Sequence, residues 1–245
     1  MPITDTPLTV FDSIESTNNY AMGQAHSGSA VDGEAWMALE QTKGKGRRSK
    51  NWHSEKGLNI MLSISIETGF LPLFRQFELS VCTALGCADF FSKYAGNEVK
   101  IKWPNDIYYH DNKAGGILIE NVIKGKLWQW SIIGIGININ QTVFSKEMGN
   151  PTSLKLITGK EYDIISLAKD LRSAILKRID SLKQPDVDLL EEYNLLLFKK
   201  GAVVKLKKQN MVFETTIVGV NAHGELMTRD TLERVFSFDE IDWIL

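Results

Sequence analysis

The chain has 245 residues, 43% of them hydrophobic, and its 28 Lys+Arg against 30 Asp+Glu leave a formal net charge of −2. That composition fills a core and excludes a disordered chain, while the charge balance excludes bulk electrostatic capture of nucleic acid, so anion binding has to be local. The sequence shows no signal peptide and no membrane-length apolar run, and Cys82 and Cys87 do not form a C-x-x-C pair. These features point to a reduced, cytoplasmic enzyme. The four histidines lie scattered without metal-ligand spacing.

In chain order, "LTVFDSIESTNNYAMGQA" (8–25) reads as a short strand, a polar turn and a helix capped by Ser16 or Thr17. Residues 40–57, "EQTKGKGRRSKNWHSEKG", gather Lys43, Lys45, Arg47, Arg48 and Lys50 around Gly44 and Gly46, with Trp52 just beyond. This stretch is too glycine-rich for a helix and too charged for a buried strand, so a loop is expected. "LNIMLSISIE" (58–67) alternates, with Ile60, Leu62, Ile64 and Ile66 on one face of a half-buried strand. Phe74, Phe77, Val81, Leu85, Ala88 and Phe91 recur at helical spacing and predict an amphipathic helix over 73–94. "EVKIKWPNDIYY" (98–109) is a strand broken by Pro104, followed by the polar loop "HDNKAGG"; residues 115–140 form a hairpin turning at Lys124–Lys126. Two more helices span 164–182 and 186–199, with Gly201 where the last stops. Beyond it, short strands and polar turns predict a small all-β barrel, dividing the chain into units of 1–199 and 200–245.

The basic loop raises the chemical question. Two like charges about 4 Å apart cost on the order of 4 kcal/mol at an effective dielectric of 20. Gly44 and Gly46 let backbone amides turn toward an anion, and Trp52 offers a flat apolar face that is costly to leave in water. A loop that is mobile when empty and folds over an anionic ligand fits these features; a solvated charged loop and a nucleic-acid contact are the alternatives. It is not a Walker loop, which needs Lys-Ser/Thr after G-x-x-x-x-G. Further on, Pro104 leaves Asn105 and Asp106 at a strand tip, and Lys113 precedes Ala-Gly-Gly, where a ligand can approach the backbone. Ordinary turn chemistry is the competing reading there, as plain helix capping is for "ESTNNYA" (15–21) and a twisted strand end for "GIGININ" (134–140).

Taken together and in this order, "STN" (16–18), "QTKGKGRRSKNW" (41–52), "KWPND" (102–106), "KAGGILIE" (113–120) and "GIGIN" (134–138) resemble the biotin protein ligases. The family pattern runs S-T-N, Q-x-x-G-R-G-R-x-x-x-x-W, K-W-P-N-D with K-x-x-G-I-L-x-E, then G-x-G-x-N. The resemblance implies an α/β (α+β) catalytic domain with a mixed, largely antiparallel sheet and flanking helices, followed by an SH3-like β-barrel. It also implies two steps. Biotin and ATP give biotinyl-5′-AMP and pyrophosphate, and a lysine of a biotin carboxyl carrier protein then attacks the mixed anhydride.

On that resemblance, Arg47 and Lys113 clamp the carboxylate against the α-phosphate, and Lys45, Gly46 and Arg47 close over the ligand. Ser16, Thr17, Asn18 and Gln41 match positions lining the biotin site, where an unpaired buried ureido group would cost about 1–3 kcal/mol. Trp52 and Asn138 match positions near the adenylate, with Lys45, Arg47, Arg48 and Lys113 beside the nucleotide. Magnesium would bridge the ATP phosphates, held by phosphate and water rather than by protein. Asp106 would accept the acceptor amine's proton or steer its ammonium.

Two departures stand out: Lys45 replaces the first arginine of the family loop, and Ser49-Lys50 replaces the usual Gly-Arg, which bears on loop kinetics and adenylate retention. About a dozen residues precede "STN", too few for a helix-turn-helix, so DNA is not an expected partner and neither is a membrane. Either a monomer or a homodimer is compatible with the sequence. The rivals are a lipoate or octanoate ligase or transferase, whose "RRxSGGG"-like signature is missing, and a non-catalytic nucleic-acid-binding regulator.

Overall fold

A computed structural model describes residues 7–48, 50–145, 149–184 and 189–244. Ser49 and the first residues of the helix expected over 186–199 lie outside these. The larger sheet has seven strands in the order β1-β2-β3-β7-β6-β5-β4. Its strands are β1 (Leu8–Phe11), β2 (Ala35–Ala38), β3 (Asn59–Glu67), β4 (Val99–Lys102), β5 (Asp106–Tyr109), β6 (Asn112–Lys124) and β7 (Leu127–Asn138). Only the β1/β2 pair is parallel. Helices α2 (Gln76–Ala95) and α4 (Ile164–Ser181) cover one face, α1 (Thr17–Ser27) the other; α3 (Leu154–Thr158) and α5 (Leu189–Leu195) are short.

Burial follows the pattern of apolar residues, with one correction. Ile60, Leu62, Ile64 and Ile66 of β3 join the main core, as their alternation implies. The strand is not half-buried, however: Met61, Ser63 and Ser65 are buried too. Serine can face inward here because α1 and the loop before β2 supply partners, Ser65 Oγ donating to the Val31 carbonyl at 2.7 Å. Gly86 brings α2 and α4 together, since a Cβ there would lie 2.7 Å from Ile175 Cα.

Segment 98–109 is a hairpin rather than one broken strand: Ile101 pairs with Ile107 across a turn holding a cis Trp103–Pro104 bond. The expected "HDNKAGG" loop shrinks to a turn at His110-Asp111, because β6 already begins at Asn112 and carries Lys113, Gly115 and Gly116 in the sheet. The hairpin at Lys124–Lys126 forms as expected, turning on Gly125 at φ +62°. Helix α5 stops at Leu195, short of Gly201, which sits at φ +77° before the next strand.

That strand opens a five-stranded antiparallel sheet, β11-β10-β9-β8-β12, made of β8 (Val203–Lys208), β9 (Met211–Val220), β10 (Leu226–Arg229), β11 (Glu233–Phe236) and β12 (Asp242–Ile244). Its buried residues Leu206, Ile217, Val220, Leu226, Phe236 and Ile241 belong to the same apolar cluster as the large sheet. Trp103 Nε1 donates to the Gly224 carbonyl at 2.9 Å, and Trp243 Nε1 returns a bond to the Trp103 carbonyl at 3.1 Å. The barrel is thus fastened to the turn between β4 and β5.

Candidate active site

Where that turn, the start of α1, the basic loop and the barrel converge, a cavity of about 650 Å³ opens over the middle of β6 and β7. At one end lie Ser16, Thr17 and Asn18, each nearly inaccessible. Ser16 Oγ caps α1 by accepting from Asn19 N at 3.3 Å, which fixes the next two side chains at the helix mouth. Gln41 Oε1 accepts from Thr17 N at 2.8 Å and Thr17 Oγ1 at 3.1 Å. Ser63 Oγ lies 2.8 Å from Thr17 Oγ1 and 2.6 Å from Asn18 Oδ1, while Asn18 Nδ2 donates to Glu120 Oε2 at 2.8 Å. Gly134 is required beneath this network, because a Cβ would fall 2.3 Å from Asn18 Oδ1.

Trp52 lies over the same glycine-lined strands. A Cβ on Gly136 would meet its ring at 2.4 Å, and one on Gly116 would come within 3.5 Å. The indole Nε1 is buried without a hydrogen-bond partner among the described residues. Behind it the basic segment folds into a tight turn: Trp52 N donates to Gly44 O at 2.9 Å, and Gly46 N to Lys50 O at 2.7 Å.

The crowded cations do not face one another unrelieved. Lys43 meets Glu15 at 2.8 Å and Lys45 lies 4.0 Å from Glu120. Arg47 reaches Asp239 at 3.3 Å and Asn105 at 3.5 Å, its guanidinium over the Phe238 ring. Arg48 bonds Asp239 at 2.9 Å, Asp242 at 2.6 Å and the Phe238 carbonyl at 3.1 Å. The expectation that relief waits for a bound anion is therefore corrected: carboxylates of this chain supply part of it. Burial lowers the Arg47 pKa, opposed by Asp239, whereas the hydrogen bond to Asp239 raises that of Arg48.

Lys113 and Asp106, also on the cavity lining, form an ion pair at 2.7 Å. Asn105 steadies the strand start, its amide donating to Ile117 O at 2.7 Å and its carbonyl accepting from Ile117 N at 2.9 Å. Lys102 also lines the wall, its ammonium 5.4 Å from the Tyr108 ring and 5.2 Å from that of Trp243. Burial pushes its pKa down to about 8, with nearby Lys113 and Lys50 adding to the fall and Asp106 opposing it.

Of the site residues expected from sequence, Ser16, Thr17, Asn18, Gln41, Lys45, Gly46, Arg47, Arg48, Trp52, Asp106 and Lys113 share this cavity. Asn138 is not on its wall: its side chain is buried below and donates to Thr152 O at 2.9 Å, and Thr152 N in turn bonds Lys113 O at 2.8 Å. It reaches the site through the backbone that carries Lys113. Lys102, Phe238, Ile241, Asp242 and Trp243 line the cavity and were not among the expected site residues, nor was Asp239, which meets Arg47 and Arg48 from outside the lining. Lys102 stood in view within "KWPND"; the barrel residues had no local signal.

Residues 10–138 match the biotin/lipoate A/B protein ligase family. The chain is 30% identical over 237 residues to the bifunctional ligase/repressor BirA of Bacillus spizizenii, covering 93% of this chain and 71% of that protein. It is 29% identical over 197 residues to the biotin–[acetyl-CoA-carboxylase] ligase of Mycobacterium tuberculosis, covering 78% and 71% respectively. Its fold superposes on the biotin protein ligase of Aquifex aeolicus in complex with biotin and ATP with a TM-score of 0.81 at 23% identity, over 96% of this chain and 97% of that one. The likeness spans both sheets, and the matched stretch holds the α1 mouth, the basic turn and the strands beneath them. On that match and on the BirA identity, the chain belongs to the biotin/lipoate A/B protein ligase family.

Proposed function

We propose that this chain is an ATP-dependent biotin protein ligase, which converts biotin to biotinyl-5′-AMP and passes the biotinyl group to a lysine of a biotin carboxyl carrier protein. The observation that carries this reading is the joining, in one cavity, of an uncharged hydrogen-bonding end at α1 to an end holding Arg47, Lys102 and Lys113. The first end suits a small neutral ring with N–H and C=O groups; the second suits a carboxylate meeting a phosphate. Relatives and structural neighbours named as biotin ligases support biotin over lipoate.

In the first step a carboxylate oxygen forms a bond to the α-phosphorus and the bond to pyrophosphate breaks. Two anions must approach, and Arg47 and Lys113, both on the cavity lining, offset their repulsion. Trp52, which lines the cavity, supplies an apolar ring face for the nucleotide. Magnesium, if brought in with ATP, would supply further charge for the phosphates. In the second step the acceptor amine attacks the acyl carbon and AMP leaves. A lysine with an ordinary pKa of about 10.4 costs roughly 4–5 kcal/mol to deprotonate at pH 7, and Asp106, beside Lys113, receives or steers that proton. Glu120 orients Asn18 and neighbours Lys45, linking the two ends.

The units 1–199 and 200–245 would act together, since both contribute walls. No described helix is long and apolar enough to cross a membrane. The test is transfer of labelled biotin to a carrier domain with and without MgATP. ATP-dependent labelling of one lysine is expected; labelling with lipoate but not biotin would overturn the reading.

A further inference from the structure

Two neighbouring arginines of the basic turn are held very differently. Arg48 makes three contacts, two with carboxylates and one with a carbonyl, all to the barrel segment Phe238–Asp242 and all at 3.1 Å or less. The hydrogen bonds of Arg47 are longer, 3.3 and 3.5 Å, it shares Asp239 with Arg48, and its guanidinium rests on the Phe238 ring. Arg48 also has φ +52°, a left-handed conformation that a branched-off side chain adopts at a cost, so something must hold it there. The barrel segment is itself anchored, through Trp243 to Trp103 and through Phe238 stacked 5.6 Å from Trp103, to the turn that carries Asn105 and Asp106.

We infer that Asp239 and Asp242 are positioning residues: with Arg48 they form a clasp that pins the basic turn to the barrel and leaves Arg47 as the working cation, free to leave Asp239 for a phosphate. This rests on the proposed ligase reading for its catalytic consequence, though not for the clasp itself. It reassigns Arg48 from ligand contact, as the family resemblance implied, to anchoring the turn. It also gives the barrel a stated part in adenylate retention: the turn stays over the cavity only while the barrel holds it. A lysine at 48 cannot replace the clasp, because one ammonium cannot span both carboxylates and the carbonyl.

The test is a mutant cycle on the full chain with Arg48→Gln, the pair Asp239→Asn/Asp242→Asn, and all three together. The first readout needs no substrate: cleavage after Lys45 and Lys50 by a lysine-specific protease, expected about tenfold faster in each variant and little faster in the combined one, since each opens the same clasp and the longer Arg47–Asp239 contact adds only a small share to the Asp variants. The second is a split in kinetics: KM for MgATP and escape of bound biotinyl-5′-AMP rise about tenfold while kcat falls less than threefold, and Arg48→Lys does not rescue either. Cleavage unchanged by the Asp pair, or effects that add across the cycle, would overturn the clasp. Altered cleavage in a protein that forms no adenylate would leave the clasp standing and sink the ligase reading instead.

Discussion

Replacing Lys102 with methionine should stabilise the protein while weakening nucleotide binding. Lys102 sits partly buried between the Tyr108 and Trp243 rings, and burial holds its pKa at about 8 against an ordinary 10.5. That shift corresponds to roughly 3 kcal/mol for carrying the charge at pH 7, against two cation–π contacts of about 0.5–2 kcal/mol each. The charge is therefore close to neutral or unfavourable for folding, and methionine fills the same space without it. Because the folded value lies below the unfolded one, the penalty is complete below pH 8 and fades as pH rises toward 10.5. Denaturant melts at pH 7 and pH 9 should show Lys102→Met gaining about 1 kcal/mol at pH 7 and losing roughly that advantage at pH 9. In the same protein KM for MgATP should rise about tenfold at pH 7, and the wild-type KM should climb toward it as pH passes 8. A variant less stable than wild type by the same amount at both pH values would refute the reasoning.

Gly136→Ala puts a methyl 2.4 Å from the Trp52 ring, so the indole must leave the floor; KM for ATP should rise roughly tenfold with loss of Trp52 fluorescence response to nucleotide. Arg47→Gln with Lys113→Gln removes both cations that offset carboxylate–phosphate repulsion, and adenylate formation in single turnover should fall by about 10²–10³-fold. Asp106→Asn should slow transfer from preformed adenylate by about 10²-fold, more than it slows adenylate formation; equal effects on both steps would remove Asp106 from the transfer role. Asn138→Ala, which removes the bond to Thr152 O and so the support behind the Lys113 backbone, should lower Tm and affect kcat no more than about tenfold.

Much of the site was legible because it is built from short contiguous runs. Ser16 to Asn18 sit on one helix end, and Lys113 to Gly116 on one strand, so spacing alone keeps them together. What escaped was governed by contacts between distant segments. The alternation in β3 suggested a strand buried on one face only, yet α1 and the loop before β2 cover Ser63 and Ser65 on the other and satisfy their hydroxyls. Pro104 looked like a strand break because a cis turn within a hairpin has no signature in one sequence beyond the proline itself. Asp239 stands 191 positions from Arg48, among other acidic residues of a surface strand end, and nothing near it announces an arginine partner.

That distant carboxylate changes the physics first read from the basic turn. Five cations in eight residues suggested a loop held open by its own repulsion, but four of them have an acidic neighbour within 4.0 Å. An arriving phosphate therefore does not relieve an unscreened knot of charge; it competes with Asp239 for Arg47. The net gain is the difference between two charge-assisted bonds, one exposed carboxylate exchanged for a doubly or triply charged phosphate chain in a more enclosed cavity. Such an exchange keeps the turn near its final place before and after binding. It also makes discrimination steep: a monoanion offers Arg47 little more than Asp239 already does, while a polyphosphate offers enough to pull it across.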